Sequence, residues 1–161
     1  MSRYKIREAT QGDLVYLASN LRAADMRELY AMHGHLRAKE LLELSRDHSD
    51  TTLVGCDTNN TPVVIFGITK TTERAALIWA VATPEVTNYK LEFLRASRRI
   101  LRGWFDDNPS LEFMYNFTHS ENTVHHAWLT WVGATLMPPV PFGITGQKFN
   151  PFIIQRKDRY V

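Results

Sequence analysis

The chain has 161 residues, of which 44% are apolar and 22% charged. That is the size and balance of one globular domain whose core needs no disulfide or metal staple. A net charge of +2 argues neither for nor against nucleic acid; with no known nucleic-acid-binding module in the chain, a specific nucleic-acid ligand is not expected. Cys56 is the only cysteine, so no internal disulfide forms, which suits a reducing compartment. "MSRYKIREATQGDL" carries no apolar run, so no signal peptide is expected, and no stretch reaches the ~20 apolar residues of a membrane span.

In chain order, "YKIREA" alternates as a short strand. Gly12 and Asp13 read as turn and cap before Leu14, Leu17, Ala18 and Leu21, which share one helical face. That helix is expected to continue through "RAADMRELYAM" to about Met32, where Gly34 stops it. "LRAKELLELSRDHS" is a second helix. "TTLVGCD", "VVIFGITK" and "RAALIWAVA" read as three strands, the last nearly all apolar and therefore central. "NYKLEFLRASRRILRGWFDDN" is a long amphipathic helix ended by Gly103 or by Asn108-Pro109. "LEFMYNFT" is a strand. "SENTVHHAWLTWVG" is a helix capped by Ser120, with Gly133 after its last turn. "ATLM" and "NPFIIQRK" are strands flanking the stiff excursion "PPVPFGITGQKF". The class is α+β: one domain over residues 1–161, with a mixed, mostly antiparallel sheet of about seven strands and about four helices. The long helix is a crossover, which makes the strands on either side of it parallel neighbours.

The richest chemistry lies in "NFTHSENTVHHAWLTWVGA", Asn116 to Ala134. His125 and His126 are adjacent, so on a helix they point about 100° apart and do not share a metal. No HxxxH or HExxH spacing accompanies them, and no metal is expected. His125 reads as a structural histidine near a cleft, and Trp79, Trp128 and Trp131 as core or as anchors at a subunit contact. Cys56 reads as a small core residue. Arg95, Arg98, Arg99 and Arg102 fall on one arc of about 100° on the long helix. They form a solvated face or a surface for an acidic partner or nucleic acid, though no aromatic residues alternate with them as a nucleic-acid surface would have.

The element order is similar to that of the GNAT acetyltransferases. Asn122, Leu129 and Gly133 stand at the spacing of a pattern that often closes those enzymes. More specifically, the chain resembles the internal virion protein A family of short-tailed phages. The pieces that carry this are "NLRAADMRELYAM", "IWAVATPEV", "FLRASRRI", "YNFTHSENTVHHAWLTWVGA" and "PPVPFGITGQKFNPF". The resemblance implies a virion-associated or assembly protein in the virion or host cytoplasm, off the membrane. Its partners would be other phage proteins or a host protein, with self-association possible through the same surfaces.

GNAT enzymes admit the pantetheine arm of acetyl-CoA through a splay between the fourth and fifth strands. They hold the diphosphate on a glycine-rich loop opening the next helix. Here "VATPEVTNYKLEF" has no glycine, and none occurs between Gly67 and Gly103. Glu85 adds a negative charge that only Lys90 offsets nearby. Leu129 stands where many of these enzymes have a tyrosine acid, and it donates no proton. The expectation is a degenerate scaffold with no cofactor. The alternative is an N-acetyltransferase using acetyl-CoA on a host protein or small amine. For that alternative the catalytic candidates are Tyr115 and His119, and the cofactor-binding candidates are Val81, Ala82, Asn116 and Asn122. Asn116 is unusual in a strand; it either bonds across the splay or touches a ligand. The excursion, with Phe142, is expected to face a partner.

Overall fold

A computed structural model describes residues 4–157. Its eight strands form one sheet in the order β1 (Lys5–Glu8), β2 (Thr51–Cys56), β3 (Pro62–Lys70), β4 (Ala75–Ala82), β5 (Phe113–His119), β8 (Lys148–Gln155) and β6 (Thr135–Leu136), with β7 (Val140–Pro141) also on β8. Only β4 and β5 run parallel, and the crossover α4 (Lys90–Asp107) joins them. Five α-helices, α1 (Gln11–Ala18), α2 (Ala23–His33), α3 (Ala38–His48), α4 and α5 (Thr123–Trp131), cover the two faces.

The sheet buries both sides. Leu14, Leu17 and Leu42 of α1 and α3 pack on Val54, Ile65 and Val81. On the opposite face Leu101 and Phe105 of α4 and Leu129 of α5 pack on Ile78, Met114 and Phe152. Such two-sided burial explains why β3 and β4 read as nearly unbroken apolar runs.

Several local expectations are corrected. Thr10, not Asp13, is the N-cap of the first helix; Asp13 is the first-turn partner, at the third helical position, of a capping box, Oδ2 accepting from the Thr10 N–H at 2.7 Å. The first helix does not run on to Met32. It breaks at residues 19–22, where the Arg22 N–H leaves the helix and donates to the Ala82 carbonyl at the end of β4, 2.9 Å away. Gly103 does not end the crossover helix, which passes through it to Asp107. The Arg156 guanidinium closes that end by donating to the carbonyls of Phe105, Asn108 and Leu111, each at 2.6 Å. Asn122, not Ser120, is the N-cap of α5, and its side chain makes no cap bond because it is used elsewhere.

The excursion 137–147 docks rather than wanders. Ile144 N–H donates to the Met32 carbonyl and Thr145 Oγ1 to the Ala31 carbonyl, so it closes the C-terminus of α2. Gly143 makes this possible. Its φ is +77°, and a Cβ there would meet the Met32 backbone at 2.8 Å.

Candidate functional site

The parallel pairing of β4 with β5 lasts three residues, Ala75–Leu77 against Phe113–Tyr115. Beyond it each strand stays with its other neighbour. β4 pairs with β3 as far as Ala82, and β5 pairs with β8 as far as His119. The two therefore part like a fork, and each loses the ladder partners on one edge.

Unpaired backbone groups inside a protein are costly, and here side chains take them up. At the crotch, Asn116 Nδ2 donates to the Ile78 carbonyl at 2.7 Å, and its Oδ1 accepts from the Phe117 N–H. At the open end, two carboxylates one turn apart on α2 replace the lost ladder. Asp25 Oδ2 accepts from the Ala82 N–H at 2.8 Å, and Glu28 Oε1 accepts from the His119 N–H at 2.6 Å. Arg22 neutralises Asp25 through a two-pronged pair, 3.0 and 3.1 Å. Arg22 also donates to Asn122 Oδ1, and Asn122 Nδ2 faces Glu28 Oε2 at 3.4 Å.

A cavity of about 450 Å³ lies at the fork, with lining residues from both faces of the sheet. On the α4–α5 side it is lined by Ile78, Phe93, Ser97, Asn116, His125 and Trp128. On the α2–α3 side the wall includes Glu28, Leu29, Met32, Trp79, Phe117 and Phe142. Glu28 is 8% exposed. Loss of water raises its pKa to about 7, and the charge of Asp25 adds to the rise against the opposing hydrogen bonds from the backbone of His119 and from Thr118 and Asn122. His125 is pushed the other way, to about 4, by the apolar rings around it. It stacks on Trp128 at 5.3 Å, and its Nδ1 lies 3.1 Å from Thr118 Oγ1. Burial thus favours the uncharged form of both groups, the neutral imidazole of His125 and the protonated carboxyl of Glu28.

The residues singled out from sequence fall in different places. Val81, Asn116 and Phe142 line the cavity, while Ala82 and Asn122 belong to the network that holds its open end. Tyr115 does not reach it. It lies on the closed, paired part of the fork and its hydroxyl bonds Thr71 Oγ1. His119 is buried, with Nε2 on Gln147 and Nδ1 accepting from the Glu121 N–H, so both ring nitrogens are occupied. His126 turns away from His125, its Nε2 reaching the His119 carbonyl. Leu129 is wholly buried in the core. Phe142, on the loop expected to meet a partner, stacks face to face on Phe117 at 3.8 Å. Arg95, Arg98, Arg99 and Arg102 are exposed on α4. Arg98 is tied to α5, lying 3.6 Å over the Trp131 ring and donating to its carbonyl.

Glu28 was not among the residues singled out. A signal for it exists: Asp25 and Glu28 occupy the same helical stripe as Leu29 and Met32, and two acids on a core-facing stripe need partners.

The glycine-poor segment after β4 forms a 3₁₀ turn, Pro84–Tyr89, before α4 begins. Glu85 and Asn88 are exposed there and bonded to each other at 2.9 Å. Phe93 stacks on Trp128 at 5.5 Å, and Trp128 Nε1 donates to Ser97 Oγ, so these contacts bolt α4 to α5 in the cavity wall.

No protein-family model and no curated protein sequence matches the chain. Solved structures do. A spermidine N-acetyltransferase from Vibrio cholerae, in complex with CoA and spermine, superposes with a TM-score of 0.71 at 18% identity over 96% of each chain. A GNAT-family acetyltransferase from Bacillus anthracis gives 0.71 at 16% over 96% of this chain and 95% of the other. The ribosomal-protein-S5-alanine acetyltransferase of Vibrio fischeri gives 0.64 at 14% over 98% and 96%. With strand order, crossover and fork in place, the chain has the GNAT acetyltransferase fold.

Proposed function

We propose that the chain transfers an acyl group from acetyl-CoA, or a related acyl-CoA, to an amine. The fork carries this reading. It is held open by a dedicated asparagine at its crotch and two carboxylates at its mouth, and a cavity lined from both faces of the sheet follows from it. A scaffold serving only as a shape would gain by zipping the two strands together. CoA is bound in the Vibrio cholerae neighbour, and the slot between β4 and β5 has an apolar lining that suits the methylene and methyl parts of a pantetheine arm. The residues beside it are Val81 and Ala82 on β4 and Asn116 on β5. The fit is poorer at the diphosphate: Pro84 has no N–H to offer, no glycine permits close approach, and Glu85 repels an anion. Weaker binding than a glycine-rich phosphate loop gives is the consequence.

The acyl-CoA supplies a thioester. Glu28, as its carboxylate, accepts a proton from the incoming ammonium. The freed amine nitrogen bonds to the carbonyl carbon as the C–S bond breaks, and its second proton neutralises the departing thiolate. With Leu129 in the core, no side chain at that position assists the thiolate.

Melting of the purified protein with acetyl-CoA tests the reading, because a ligand that binds only the native state raises the melting temperature. Thiol release in the presence of amines should follow, and should fall at least about tenfold in Glu28→Gln. No shift at millimolar acetyl-CoA would sink the proposal. The missing glycines favour a second reading, the one implied by the likeness to internal virion proteins: an assembly protein, in a virion or host cytoplasm, that retains the scaffold. Its partner surface would be Arg95, Arg98, Arg99 and Arg102. If Arg98→Glu with Arg102→Glu leaves assembly and partner binding intact, that stripe is only a solvated face.

A further inference from the structure

We propose that the α2–α3 half of the cavity takes a primary monoamine carried on an aromatic or aliphatic body, and excludes polyamines. This rests on the acyl-transfer reading for which half receives the amine, but the selectivity follows from the walls. Among the described residues lining the cavity, Glu28 is the one carboxylate, and there is no lysine or arginine. Asp25, one turn away, is not available as a second anion, because Arg22 and the Ala82 N–H already claim it.

Around that single charge the surface is apolar and rigid. Phe117 and Phe142 lie parallel, 3.8 Å apart and within 3°. Trp79 lies flat across Gly67 on β3, where a Cβ would come within 2.5 Å of its ring nitrogen, and Ser49 Oγ holds that nitrogen at 2.8 Å. Leu29 and Met32 complete the wall, and Leu44, 54% exposed, carries the apolar surface out to the rim on α3. The remaining polar side chains on this half include His33 and His48, which offer no anion. Burial, with His35 alongside, also lowers the pKa of His33.

A monoamine satisfies this arrangement. Its ammonium pairs with Glu28, and its body displaces water from the aromatic walls. A polyamine does not. Its second and third ammonium groups would lie against rings and leucines with no counter-charge, losing hydration without compensation.

The test uses the full chain and three probes: 2-phenylethylamine, its uncharged isostere 2-phenylethanol, and spermidine. Each is titrated by calorimetry and melting, with and without CoA, above the midpoint of Glu28. Saturable binding of 2-phenylethylamine is expected, with spermidine at least about tenfold weaker. Glu28→Gln should weaken the amine by about tenfold or more and leave the alcohol unchanged. Phe142→Ala, at a partly exposed wall position, should weaken both. Spermidine binding as tight as the monoamine overturns the proposal. So does absence of 2-phenylethylamine binding in both conditions, or an amine affinity indifferent to Glu28→Gln. The two proposals fail separately. Turnover of spermidine with acetyl-CoA would keep acyl transfer and overturn the monoamine site; monoamine binding without any acetyl-CoA binding would do the reverse.

Discussion

Glu28 should leave a signature in stability as well as in catalysis. A carboxyl raised on folding from 4.5 to about 7 binds its proton more tightly in the native state. Between those two values the folded chain holds more protons than the unfolded one, so stability falls as pH rises. The contribution is fully present below 4.5 and is lost as pH passes about 7. A shift of that size is worth about 3 kcal/mol, or roughly 6–12 °C in melting temperature for a chain of this length.

The wild-type profile alone does not isolate it. His125, lowered from 6.5 to about 4, acts with the opposite sign: its folded form resists protonation, so its contribution is present above 6.5 and lost as pH falls through 4. The two windows overlap, and the effects largely cancel. Glu28→Gln separates them, since glutamine keeps an oxygen for the His119 N–H and removes the titration. The assay is the melting temperature of wild type and variant from pH 4.5 to 8 under identical salt. The variant should be the more stable at the alkaline end, and the difference should shrink towards the acid end. A difference that stays constant with pH would refute the argument, because it would mean that Glu28 does not titrate in this range when folded. The same group should make wild-type turnover rise through about pH 7, the value given by its burial.

Changes at three further positions probe the fork. Asn116→Ala leaves the Ile78 carbonyl without its donor and should cost about 1–3 kcal/mol by urea unfolding; Asn116→Asp, which sets a carboxylate against that carbonyl, should cost more. Arg22→Ala strands Asp25, whose side chain is 4% exposed, and should cost about 3–5 kcal/mol in the same assay. Val81→Trp, on the cavity wall, should abolish any melting shift with acetyl-CoA at an overpacking cost of about 1–3 kcal/mol; a preserved shift would place the ligand elsewhere.

Much of the fold was legible from periodicity. The apolar strands β3 and β4, the amphipathic crossover helix and the parallel pairing it demands all follow from patterns local to the chain. What was hidden depends on contacts between distant residues. The break at residues 19–22 has no strong breaker in "SNLR"; it follows from the Arg22 N–H meeting Ala82, sixty residues on. Gly103 misled because a glycine whose Cβ position meets nothing costs the helix only about 1 kcal/mol. The candidate site divides in the same way. Asn116 stood out because a strand asparagine is anomalous on its own. Glu28 did not, because an acid on a helix is ordinary until a strand end 91 residues away proves to lack an acceptor.

The fork links this hidden part to the chemistry. Opening β4 from β5 creates a slot and, unavoidably, leaves backbone donors without ladder partners. Carboxylates are good acceptors for such N–H groups, but groups placed where a sheet has parted are also withdrawn from water. Asp25 has Arg22 beside it. Glu28 has only the His119 N–H and its contacts with the neutral side chains of Thr118 and Asn122, and it faces the cavity. The residue that repairs the opened edge is thereby also one whose pKa burial lifts to about 7. On this argument, zipping the fork shut would abolish the slot and the raised carboxyl together. Variants that weaken the Asp25 and Glu28 bonds to the two strand ends should therefore change stability and proton chemistry in step.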